Sequence, residues 1–139
     1  MAILRNIGAV ILGLIVGMVL NMGVLFLNMV FFPMPEGVSM NDQAAMVAWM
    51  AELPQTAFIL PVVAHLAQAF GGGWVAARVG ASHPVVLAMI IGVLSMIGGI
   101  LNLLQIPGPI WMWAEMPFYL LLAALAGWME SKRRANQAG

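Results

Sequence analysis

Cysteine is absent from the chain, which excludes disulfides, thiolate metal sites and cysteine nucleophiles. Charge is scarce as well: Asp, Glu, Lys and Arg make up 7% of the 139 residues, where a soluble domain carries roughly a quarter. The five basic residues balance the five acidic ones, so no positive surplus exists to hold nucleic acid. The chain shows no Ser-His-acid order, no His-Glu-x-x-His helix and no Gly-rich phosphate loop, and these are the arrangements that commonly carry hydrolytic and phosphoryl chemistry. The expectation is therefore a non-enzyme without metal or cofactor.

What remains is oil-like. Hydrophobic residues account for 63% of the chain, and the mean hydropathy is +1.02. Such a chain has lipid as its solvent. The sequence predicts an all-α, polytopic membrane protein, a single four-helix bundle over residues 1–139. Its crossings are expected at about 4–32, 56–79, 85–106 and 110–129, each near the roughly twenty residues a bilayer needs.

The second apolar run, Thr56 to Val79, organises the rest. One of its faces carries Pro61, His65, Gln68, Gly72 and Ala76 at helical spacing. A polar and small stripe on a membrane helix must be covered by other helices. The first run, Ala2 to Phe32, is too long for a signal peptide and offers Gly13, Gly17 and Asn21 spaced by four, which suits close helix approach. The third offers Ala88, Gly92, Ser95, Gly99 and Asn102. Between the first two runs lies SMNDQAAMVAWMAEL, too short to cross. It is expected to form an amphipathic surface helix over about 40–53, capped by Ser39 and Asp42, with Met46, Met50 and Leu53 on one face and Trp49 opposite. Ser82 is the expected N-cap of the third crossing. Residues 130–139 are expected to fray as a polar tail.

Four crossings place Arg5, Arg78, Lys132, Arg133 and Arg134 on one side of the bilayer. Glu36, Asp42, Glu52 and Glu115 then lie at or near the other. Because Lys and Arg mark the cytoplasmic side, both termini are expected inside. Trp74 and Trp128 fall at the inner boundary and Trp49, Trp111 and Trp113 at the outer one, as an aromatic belt requires.

The chain also repeats itself. Leu27-Asn28-x4-Pro33-x-Pro35 recurs as Leu101-Asn102-x4-Pro107-x-Pro109, and Gly73-Trp74-x3-Arg78 recurs as Gly127-Trp128-x3-Lys132. These registers set Asn21 against Ser95 and His65 against Tyr119. The reading is one helical hairpin used twice in parallel, with the surface helix inserted in the first copy.

Polar groups in hydrocarbon must face each other or water. At about 1.5 Å per residue, Asn28, Asn102, Glu115, His65 and Tyr119 all fall in the outer half, at depths of roughly 7 to 14 Å. Pro61 and Pro117 lie at similar depth and are expected to kink their helices. An outward-opening pocket of His65, Gln68, Glu115, Tyr119, Asn28 and Asn102, holding a small or lipid-like ligand, is the economical arrangement. His65 and Glu115 are its ionisable members. A rival expectation is an accessory subunit that docks its glycine-rich faces on a larger membrane complex. A minor one is Cu(I) handling by Met18/Met22, Met46/Met50 and Met112/Met116, three of the pairs among 13 methionines, although thioethers are also ordinary pliable filler. Membrane lipids are the expected surroundings, with a homo-oligomer or a larger complex as the expected assembly.

At Pro35-x-Gly37-Val38-x2-Asn41-Asp42, Phe70-x-Gly72-Gly73 and Asn102-x4-Pro107-x-Pro109-x-Trp111, the chain resembles a family of small, uncharacterised four-helix bacterial membrane proteins. The resemblance implies a bacterial inner-membrane setting and no particular activity.

Overall fold

Backbone polar groups in hydrocarbon must pair within their own segment, so an apolar run of membrane length folds as a helix. The computed structural model describes residues 1–39, 41–106 and 108–139. It contains α1 (Ala2–Phe31), α2 (Gln43–Glu52), α3 (Ile59–Val79), α4 (Pro84–Gln105) and α5 (Met116–Ala138). Two 3-10 turns, Gln55–Phe58 and Ile110–Glu115, lead into α3 and α5. Four segments are long and apolar enough to cross a membrane: Ala2–Phe31, Gln55–Val79, Pro84–Gln105 and Ile110–Ala138. No strand occurs among the described residues. The chain is an all-helical bundle of integral-membrane type. Met40, where the surface helix is expected to begin, and Pro107, part of the repeat and of the family-like motif, lie outside the described residues.

α3 touches all three other long helices, and the tightest pairs are α1 with α3 and α4 with α5. Each crossing thus packs most extensively on its neighbour within a hairpin, α1 on α3 and α4 on α5. Small residues make this possible: Ala64, Ala69, Ala76, Ala77, Ala88, Ala123 and Ala126 are all fully buried. Apolar side chains gain little by leaving lipid, so membrane helices associate through close backbone approach. Between α1 and α3 this approach is made by Gly13 against Gly72. A Cβ on Gly72 would stand 2.6 Å from the Gly13 carbonyl oxygen, and one on Gly13 the same distance from that of Gly72.

The N-terminus of α1, the C-terminus of α3, the start of α4 and the C-terminal part of α5 meet at one end of the bundle, and all five basic residues are there. This basic end is tied shut by side chains. Glu130 is 1% exposed; Arg133 donates to both its oxygens, at 2.7 and 2.6 Å, and Arg134 donates to Oε1 at 2.9 Å. Arg78 stands 3.8 Å away. Arg134 also donates to the carbonyls of Ala77, Gly80 and Ala81, which supplies partners to the orphan carbonyls where α3 ends. From the other side Arg5 donates to the Val79 carbonyl at 2.8 Å. The Asn6 side-chain oxygen Oδ1 accepts from the Ala81 and Ser82 amides. The expected frayed tail is thus wrong. α5 continues to Ala138 because Glu130, Arg133 and Arg134, spaced by three and four, lock onto each other and onto the α3–α4 turn.

Three other expectations need correction. Ser82 does not cap α4: its hydroxyl accepts from Asn6 at 3.0 Å, and His83, in the left-handed region at φ 51°, holds the cap position before Pro84. The surface helix starts at Gln43, because Asp42 rather than Ser39 is the N-cap, its carboxylate accepting from the Ala45 amide at 3.0 Å. Pro61 and Pro117 do not kink mid-helix. They occupy the first turns of α3 and α5, where an absent N–H costs nothing. The break in regularity has moved one step earlier, into the two 3-10 turns.

Candidate functional site

The end opposite the arginines is built differently. Glu36, Asp42 and Glu52 are exposed there, while Glu115 is 3% exposed. The last residue of its 3-10 turn, Glu115 projects among α3 and α5. Its Oε1 lies 3.0 Å from His65 Nδ1 and accepts the Tyr119 hydroxyl at 3.1 Å. The His65 and Tyr119 rings stack at 6.3 Å between centroids, 28° from parallel. Tyr119 is set by two spacings: it lies one helical turn beyond Glu115, and its hydroxyl sits where a side chain on Gly99 would collide with it. His65 and Tyr119, matched by the sequence repeat, thus converge on one carboxylate.

Chemically, the His65–Glu115 pair can hold a proton between nitrogen and oxygen in a site screened from water. Because Nδ1 faces Glu115, Nε2 is the ring nitrogen left for a third party. Glu115 Oε2 is buried without a hydrogen-bond partner among the described residues.

Beside this triad is a cleft of about 610 Å³, lined by α1, α2, α3, α4 and both 3-10 turns. His65, Asn28 and Asn102 supply its polar surface, and Met22, Phe26, Met29, Met50, Phe58 and Met112 much of its apolar wall. α2 roofs it. Met46, Trp49, Met50 and Leu53 face the cleft together, so Trp49 shares the Met face instead of opposing it. Met50 and Leu53 pack on the buried cluster of Ala57, Phe58 and Met112, and Gln43 donates to the Gln105 carbonyl at 3.4 Å. A smaller recess of about 190 Å³, lined by Glu115, Trp111, Phe118 and Met112 among others, adjoins it.

The six expected site residues divide. His65, Asn28 and Asn102 share the cleft. Glu115 and Tyr119 stand behind His65, with Glu115 on the smaller recess. Gln68 belongs to neither: it donates to Ser95 Oγ at 3.4 Å, deeper between α3 and α4. Of the methionine pairs, Met46/Met50 enters the cleft whole, while Met22 and Met112 enter without Met18 and Met116. The cluster around Glu130 was missed, although its Glu-x2-Arg-Arg spacing was readable. Searches of protein-family models, of curated proteins and of solved structures give no match to this chain.

Proposed function

We propose that this protein is a small, non-catalytic membrane protein of binding or transport type, whose cleft holds a small or lipid-like ligand against His65. The observation that supports this reading most is the His65–Glu115–Tyr119 triad abutting an apolar cleft that carries two further amides. Membrane interiors tolerate buried ionisable groups mainly where they serve pathways or ligands. The proposed orientation puts the arginine end and both termini in the cytoplasm, following the Lys and Arg excess, and the cleft in the outer leaflet of a bacterial inner membrane. The accessory-subunit reading is weaker, because Gly13, Gly17, Gly72, Gly92 and Gly99 are consumed in packing inside the bundle.

Native mass spectrometry from gentle detergent tests the proposal. The wild type is expected to release a bound small molecule, and Glu115→Gln and His65→Ala to lose most of it. Equal retention in all three would remove the site. A stoichiometric protein partner in place of a small molecule would favour the accessory role. Reporter fusions at Gly139 and in the Gly80–His83 turn are expected on the same side of the membrane.

A further inference from the structure

We infer that the cleft takes an uncharged amphiphile whose head bears a hydroxyl group and whose body is apolar. This rests on the cleft being the binding site proposed above, and it names the ligand's chemistry.

The walls exclude a charged head. Among the described lining residues His65 is the one titratable group, and its Nδ1 is already committed to Glu115. Arg5, Arg78, Lys132, Arg133 and Arg134 stand at the other end of the bundle, so nothing neutralises a phosphate or carboxylate. Taking an unpaired charge out of water is far more costly than taking out a hydrogen-bonded neutral group. A volume of about 610 Å³ is the size of a pocket that encloses a lipid-like molecule rather than an ion. Methionine walls conform to irregular apolar bodies.

The polar groups select the head. Asn28 lines the cleft, and its Oδ1 is buried with no hydrogen-bond donor among the described residues. Asn102 brings a second amide from α4, and His65 offers Nε2. The Asn28 oxygen calls for a donor, and an amide NH2 offers one in return, so the fitting head both gives and accepts a hydrogen bond. A hydroxyl does both; an ether or a simple ester only accepts. Two membrane sources carry such a head: a glycerolipid alcohol such as diacylglycerol, and a reduced isoprenoid quinone.

The test uses the full chain in phosphatidylcholine nanodiscs. Three diazirine probes with one common alkyl chain end in a free hydroxyl, a methyl ether or a phosphate monoester, and cross-linked residues are mapped by mass spectrometry. The alcohol is expected to label the α1, α2 and α3 cleft segments about tenfold more than the ether, since an unpaired buried polar group costs affinity of that order. The phosphate is expected to label least. In Asn28→Leu, alcohol and ether should label alike. Unlabelled diacylglycerol or reduced quinone is expected to displace the alcohol probe, and the more effective competitor identifies the source. Equal labelling by alcohol and ether in the wild type overturns the hydroxyl assignment while leaving the cleft as a binding site. Dominant labelling by the phosphate overturns neutrality, and displacement by neither competitor overturns both proposed sources. If no probe reaches the cleft, the binding reading itself fails.

Discussion

The two ends of the bundle solve the problem of polar groups in lipid in opposite ways. At the arginine end, Glu130 is surrounded by guanidinium groups, and that of Arg134 also bonds to backbone carbonyls, so the buried carboxylate is paired and the α3–α4 turn is sealed. At the cleft end the buried polar groups are few, and two of their oxygens lack donors among the described residues. Saturation ties helices together; incomplete saturation beside a void is what a ligand requires. Between the ends lies a waist of alanine and glycine, so the difference comes from side chains and not from a change of fold.

That contrast can be broken most severely at the waist. Gly72→Leu drives a side chain into the α1 backbone and is expected to cost about 3 kcal/mol, since overpacking against backbone cannot relax. Denaturant unfolding of the reconstituted protein would measure it, and both ends should suffer. Damage confined to one end would show that the two are uncoupled. Next in size, Glu130→Gln weakens the charge-assisted bonds at the closed end. A loss of about 2 kcal/mol is expected, with faster tryptic cleavage at Arg133 and Arg134. Cleft labelling by the alcohol probe should be unchanged; a drop would mean that the seal also shapes the site.

A subtler variant sharpens the open end. Gly99→Ala places a methyl group where the Tyr119 hydroxyl sits, and should push that hydroxyl off Glu115 at a cost of about 1 kcal/mol. Tyr119 is the sole tyrosine, so ultraviolet resonance Raman reads its hydrogen bond directly. An unchanged doublet ratio in Gly99→Ala would count against the triad geometry. The smallest effect is expected at the roof. Asp42→Ala removes the α2 cap and about 1 kcal/mol of local helix stability. Hydrogen exchange should quicken over residues 43–52 and nowhere else.

Hydropathy alone located all four crossings, because long apolar runs in lipid have one solution. Charge and repeat spacing likewise pointed to His65, Tyr119 and Glu115. They could not show that these three meet, since that depends on how α5 rotates after its 3-10 turn. Gln68 was misplaced because a helical face is wide enough to serve two neighbours, and Ser95 claimed it. Trp49 was put on the wrong side for a related reason. In ten mostly apolar residues the helical phase is set by what lies underneath, here Phe58 and Met112. Glu130 was lost because polarity at a chain end reads as solvent exposure, whereas a carboxylate among arginines can be buried.

The three-way grip of Arg134 on the last turn of α3 and the Gly80–His83 turn has a mechanical consequence. A bundle fastened at one end widens as a pair of tweezers does, by pivoting about the fastening. Over the roughly 30 Å spanned by twenty helical residues, a tilt of about 5° between the two hairpins moves their free ends by roughly 2 to 3 Å. In the proposed binding role such a tilt would widen the cleft between α1 and α4 and draw His65 away from Glu115, which belongs to the other hairpin.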